Sequence, residues 1–193
     1  MPTSNDRIKS LLVTRERSLK NALNYLFSVV LKHDFDTVEA HGAALERLDA
    51  GSGCDAVFVH LSGDGMADFE LIKAAKTLRS KPVVIGLHSD ETDLRIRAFL
   101  AGADDVVDWP CNLHELAIRL FVRLGYKLDQ GCLPEGDVSW ETEAYIADRA
   151  GLTTSEAQVM RVLYNRDGEI VSRDDLSFAV DARPWRYGDR KFD

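Results

Sequence analysis

Apolar positions alternate between two rhythms along the first two thirds of the chain. Residues 8–14 form a largely apolar run of strand length, after which Leu19, Ala22, Leu23, Leu26, Phe27 and Val30 recur at the three-to-four spacing of one helix face. Residues 37–40 predict a short second strand and residues 43–48 a short helix. The runs 56–61 and 83–87 are continuous, apolar and rich in β-branched residues, the pattern of parallel strands buried on both faces. Phe69, Ile72, Ala75 and Leu78 mark a helix between them. Ile96, Phe99 and Leu100 mark another, residues 105–107 a fifth strand, and Leu113, Leu116, Ala117, Leu120, Phe121 and Leu124 a final amphipathic helix. Five strands alternating with helices predict right-handed crossovers and a doubly wound α/β sheet of order 2-1-3-4-5.

Size and composition change this picture only at its edges. A chain of 193 residues, 45% hydrophobic, has room for one good core and a second smaller one. No apolar run approaches the roughly 20 residues of a membrane span, and residues 1–6 are too polar for a signal peptide, so a cytoplasmic protein is expected. Cys54, Cys111 and Cys132 are scattered and odd in number, which predicts reduced thiols rather than a disulfide framework or structural zinc. No metal or other cofactor is expected.

Two sets of short motifs carry a resemblance. The first is DAVFVHL at 55–61, GM at 65–66, FEL at 69–71, KPVV at 81–84, AGADD at 101–105, Pro110 and EL at 115–116. The second is LTTSE at 152–156, GEIV at 168–171, SR at 172–173 and DRKFD at 189–193. In this order they resemble a bacterial response regulator of the OmpR/PhoB type, with a CheY-like (flavodoxin-like) receiver followed by a winged-helix DNA-binding domain. The resemblance implies a receiver over residues 1–126, a linker over 127–136 and an incomplete winged-helix domain over 137–193, with most of the recognition helix and the wing beyond the last residue.

In reactive sheets of this type the chemistry lies at the carboxyl ends of the strands. The family's receivers hold Mg²⁺ with two acids after the first strand and an acceptor aspartate after the third. A hydroxyl after the fourth strand and a lysine after the fifth steady the phosphoryl group. The matching positions here are Thr14 and Arg15, then His60, Leu87 and Trp109. Mg²⁺ demands hard oxygen ligands, and a cation such as Arg15 repels it, so aspartyl phosphorylation is not expected. A pocket for a soft metal or small ligand, built from His60, His88 and Cys111, is the competing reading, since imidazole and thiolate suit such metals. Trp109 before Pro110 predicts a cis peptide bond and an aromatic cap over the degenerate pocket.

By the same resemblance the chain forms a homodimer, in which Arg95 meets Glu115 of the partner subunit, Asp105 meets Arg119 of the partner subunit and Asp104 reaches Arg123 of the partner subunit. Ile96, Phe99 and Ala117 match the apolar patch between those pairs. In the second domain, residues 138–140 and 144–146 resemble remnants of the family's entry sheet. Thr153 with Glu156 forms a capping-box pattern, and Ser172 is placed to cap a helix over 173–180. Arg173 and Arg190 match positions that touch DNA. Arg183, Trp185 and Arg186 fall in a loop where relatives touch DNA or RNA polymerase. The charge runs the other way: the chain carries -8, and from Asp129 onward eight Lys and Arg face fourteen Asp and Glu, whereas DNA-binding surfaces are normally basic. The expected function is therefore a phosphorylation-independent transcription regulator, not an enzyme, dimerising through its receiver. The alternative is a pseudo-receiver that senses a ligand or metal, or docks on a protein.

Overall fold

The computed structural model describes residues 7–49, 53–62, 66–88, 92–126, 139–166 and 168–186. The chain divides into two compact units, Met1–Glu135 and Gly136–Asp193.

The first unit is a five-stranded parallel sheet of order β2-β1-β3-β4-β5. Its elements are β1 (Lys9–Val13), α1 (Arg17–Asn24, continued by a π-helical stretch Tyr25–Val30), β2 (Asp34–Val38), α2 (His41–Asp49) and β3 (Ala56–Leu61). They continue with α3 (Met66–Thr77), β4 (Val83–His88), α4 (Thr92–Ala101), β5 (Asp105–Asp108) and α5 (Leu113–Arg123). Side chains alternate across each strand, so the sheet has two apolar faces. Leu11, Val13, Val57, Val59, Leu61, Val84 and Val106 pack with Phe69, Leu71, Ile72, Leu94 and Ala98 of α3 and α4. Residues of the other parity, among them Leu12, Phe58, Ile85 and Leu87, are wholly buried on the opposite side, where Phe58 meets Phe27 of the π-helical stretch. Each such side chain contributes about 1.5–3 kcal/mol by leaving water.

The second strand lies earlier than the apolar pattern predicts, at Asp34–Val38 instead of 37–40. It is an edge strand with only Val38 fully buried, so hydrophobicity marks it weakly. Its position is set by pairing, Lys9 with Asp34 through Val13 with Val38, and by Phe35 stacking on Phe27 at 5.3 Å. Gly102 ends α4 at φ +107, a conformation costly for any residue with a Cβ, and Ala103 N–H turns back to the Ala98 carbonyl at 3.0 Å.

Within the second unit the described residues form three helices, α6 (Ser139–Ala150), α7 (Thr154–Asn165) and α8 (Arg173–Asp181). The strand remnants expected at 138–140 and 144–146 are not there: residue 138 lies outside the described residues, and the rest is helix. Glu143 and Ala147, one helical turn apart, are the positions α6 buries, and Gly151 at φ +67 closes it. Tyr145 and Ile146, which looked like a strand's apolar pair, remain exposed. Glu143, 1% exposed, accepts a hydrogen bond from Arg161 of α7 at 2.9 Å, tying the two helices by a buried ion pair. Both expected caps form: Thr153 and Glu156 close a capping box on α7, and Ser172 with Asp175 does so on α8. No helix among the described residues is long and apolar enough to cross a membrane.

Candidate functional site: a rewired strand-end pocket and the α4–α5 face

The carboxyl ends of β1, β3 and β5 bring Thr14, His60 and Trp109 together around Glu16. His60, next to last in β3, points to the end of β1, where Thr14 Oγ1 is 3.1 Å from its Nδ1. The Thr14 oxygen also accepts the Glu16 N–H at 3.0 Å. The arrangement that leaves fewest groups unpaired has the Thr14 hydroxyl donating to Nδ1, which places the imidazole proton on Nε2. That nitrogen faces Glu16 Oε2 at 3.4 Å. Glu16 is the hub of the site. Its Oε1 accepts the Trp109 indole N–H at 3.2 Å and the Ser18 hydroxyl. The Trp109–Pro110 bond is cis, as expected, and the indole is tied to the acid after β1 rather than merely packed over the pocket.

A second polar pair lines the same pocket. Asp68, buried in the first turn of α3, accepts the Ser62 N–H at 3.1 Å and lies 2.6 Å from His41 Nε2. The cavity, about 290 Å³, is lined by these groups with Arg15 and Glu39. Sequence reasoning missed His41, Glu39 and Asp68 because each sits in or beside a helix whose pairing with β3 is visible only in three dimensions. Of the lining carboxylates, part-exposed Glu16 and buried Asp68 are thus engaged by protein donors. Leu87 is fully buried beside His60, with which it is in register, and sets hydrocarbon there. The described residues contain no group of three or more His, Cys, Asp and Glu placed to hold a metal.

The His60, His88 and Cys111 grouping is not assembled. His88 pairs with Leu61, so its side chain takes the sheet face opposite His60. There its Nε2 lies 3.1 Å from Asp108 Oδ1. Burial, with help from Glu115, pushes the Cys111 thiol up to about 11, so it is no thiolate ligand at neutral pH.

On the α4–α5 face the expected residues separate into two groups. Ile96, Phe99 and Leu100 of α4 and Ile118 and Val122 of α5 are exposed. Ala117 is not part of that patch. It is fully buried, because it shares the core stripe of α5 with Leu113 and Phe121, one turn to either side. Asp104 is also turned inward, accepting Lys76 Nζ at 2.7 Å and the Val84 N–H at 2.7 Å, so its carboxylate is engaged within the chain. Asp105 is buried and accepts Arg119 Nη1 at 3.2 Å, with Arg123 Nη2 at 3.5 Å. Arg119 also donates to Glu115 at 2.8 Å, and Arg95 donates to Asp108 at 2.7 Å.

In the second unit Arg173 is exposed at the start of α8, its guanidinium 5.4 Å from the Trp185 ring centre. The helix start is not a vacant anion site: Ser172 caps the Asp175 N–H, Asp175 returns the bond, and Asp174 accepts the Trp185 N–H at 2.9 Å. The carboxylates of Asp174 and Asp175 stand beside Arg173 at this helix start, where they offset part of its positive charge. Arg190 lies outside the described residues.

No family model matches the chain. Among curated proteins it is 26% identical over 159 residues to Protein PetR of Rhodobacter capsulatus, covering 72% of this chain and 63% of PetR. It is 27% identical over 176 residues to the heme response regulator HssR of Staphylococcus haemolyticus, covering 88% of this chain and 77% of the relative. With HssR of Staphylococcus aureus it shares 30% over 99 residues, 51% of this chain and 44% of that protein. The matched stretch is therefore under two thirds of the length of PetR and of the Staphylococcus aureus protein. A response regulator from Chloroflexus aurantiacus superposes with a TM-score of 0.57 at 18% identity, over 63% of this chain and 100% of that one. The receiver domain of TorR, the TMAO respiratory system response regulator, gives 0.54 at 22%, over 61% and 97%. The sheet unit has the CheY-like receiver fold, and the HssR relatives that the chain matches are heme response regulators.

Proposed function

We propose that this chain is a transcription regulator of the two-component type whose receiver works without aspartyl phosphorylation, holding two copies of a DNA-binding unit together as a homodimer. The observation that carries this reading is the chain of contacts from Thr14 through His60 and Glu16 to Trp109. It puts an imidazole and its partners where a carboxylate and a metal would be needed. Thr14 is 5% exposed and its oxygen is already engaged by Glu16, so the threonine, histidine and glutamate serve as a structural network rather than as nucleophile, base and orienting acid. For the dimer, exposed Ile96, Phe99, Ile118 and Val122 supply apolar area, and Arg95, Glu115, Arg119 and Arg123, whose side chains reach solvent, set register, with buried Asp105 holding Arg119 in place. DNA is the partner read from the helical second unit by its resemblance, with RNA polymerase a further partner for the loop after α8. Intact-mass spectrometry after treatment with acetyl phosphate and Mg²⁺ tests the central claim. No mass gain is expected, and a stable phosphoryl adduct on the receiver unit would overturn it.

A second reading rests on the cavity itself. Its volume of about 290 Å³, with Arg15, Glu39 and the His41–Asp68 pair on its walls, has space for a small polar ligand that would replace the phosphoryl signal. Thermal-shift screening of the parent against Asp68→Asn separates the two readings, since only a ligand sensor shows stabilisation that the variant loses.

A further inference from the structure

We propose that His88 is a proton-operated release for Arg95, exchanging with it on the carboxylate of Asp108; its consequence for assembly rests on the dimer reading above. His88 ends β4 and is 2% exposed. Neither ring nitrogen has a hydrogen-bond partner among the described residues, although Nε2 lies 3.1 Å from Asp108 Oδ1. The same oxygen accepts Arg95 Nη2 at 2.7 Å, and Arg95 Nε is itself buried and unbonded. An imidazole and a guanidinium therefore converge on one oxygen atom, and the guanidinium alone is bonded to it.

Among the described residues, the ion-pair contacts at this point run from Asp108 of β5 to His88 and to Arg95 of α4, while β3 presents Leu61. Cys111, past β5, remains a neutral thiol below about pH 11. The mobilities of the two cations differ. His88 is fixed at a buried strand end, whereas the Arg95 side chain is 41% exposed and reaches water by rotation. When His88 takes a proton from solvent, the imidazolium gains a charge that attracts the Asp108 carboxylate, 3.1 Å from its Nε2, and repels the guanidinium. The carboxylate stays with the group that cannot move, and Arg95 is released onto the surface of α4 beside exposed Ile96 and Phe99. There it is free to meet Glu115 of the partner subunit. If the dimer uses that contact, the dimer holds His88 protonated more strongly than the monomer does, so association tightens as pH falls.

The test uses the full chain between about pH 8 and about pH 5.5. NMR of the Arg95 guanidinium and the His88 ring should give one shared titration curve. Sedimentation velocity should show a dissociation constant several-fold lower at the acid end. In His88→Gln, Arg95 should stay on Asp108 at every pH and the pH dependence of assembly should vanish. Asp108→Asn should free Arg95 throughout and give tight, pH-independent assembly, which keeps the test open if the glutamine variant does not fold. An Arg95 signal that ignores the titration of His88, or a pH dependence that survives in either variant, would overturn the exchange. A shared curve in a chain that is monomeric at both ends would uphold the exchange and sink the dimer reading instead.

Discussion

At the strand-end pocket polar groups turn inward on one another, while on the α4–α5 face apolar groups turn outward. Thr14, His60, Glu16 and Trp109 share bonds among themselves, and Asp68 is taken by His41 and Ser62. A few strands away, Ile96 is 53% exposed and Val122 55%. A pocket whose donors and acceptors satisfy each other has little left to offer an incoming phosphoryl group. A face with unburied aliphatic side chains gains most from being covered. The contrast teaches that the pocket and the α4–α5 face can vary independently within one sheet scaffold, because the two depend on opposite uses of side chains.

The largest effect should come from placing a hydroxyl beside His60 in β4. Leu87→Thr removes buried hydrocarbon and buries a hydroxyl beside His60, at a cost of about 2–4 kcal/mol in chemical denaturation. A neutral or stabilising outcome would mean that the pocket keeps polar space for that group. Next, Ile96→Ala with Phe99→Ala should weaken self-association at least ten-fold, about 1.4 kcal/mol or more, with unchanged unfolding of the monomer. An unaltered sedimentation profile would remove this face from the dimer.

His60→Asp tests the pocket more gently. It sets a carboxylate close to Glu16, and the like charges should cost about 1 kcal/mol at neutral pH. The sign follows from linkage: one carboxyl is pushed above its ordinary range, so the penalty fades as pH falls and that group takes a proton. The variant should still gain no phosphoryl mass from acetyl phosphate, because Leu87 and Trp109 remain. The smallest effect concerns Cys111. With its thiol held near 11 in the fold and lower when unfolded, its contribution to stability is complete below about pH 9 and is lost as pH rises toward 11. Alkylation of native Cys111 at neutral pH should accordingly be slow, and fast labelling would show that the thiol is not held neutral.

Much of the fold was legible in the chain because β3 and β4 are continuous apolar runs and α5 carries an unbroken stripe from Leu113 to Phe121, signals that depend only on local periodicity. The reading that Thr14, Arg15, His60, Leu87 and Trp109 stand at the strand-end positions was equally local, because these residues can be read without knowing what surrounds them. β2 escaped because an edge strand buries little, and α6 was misread because Tyr145 and Ile146 mimic a strand while the helix is set by burial of Glu143 and Ala147. Ala117 was placed on the surface because an alanine fits a small surface patch as well as a core, and helix phase against the sheet decides between them. Only the tertiary structure could choose partners for charged groups. Coulomb energy and hydrogen bonding depend on distances across elements far apart in sequence, which is why Glu16 found Trp109, Asp68 found His41, Asp104 found Lys76, and Asp108 came to stand between Arg95 and His88.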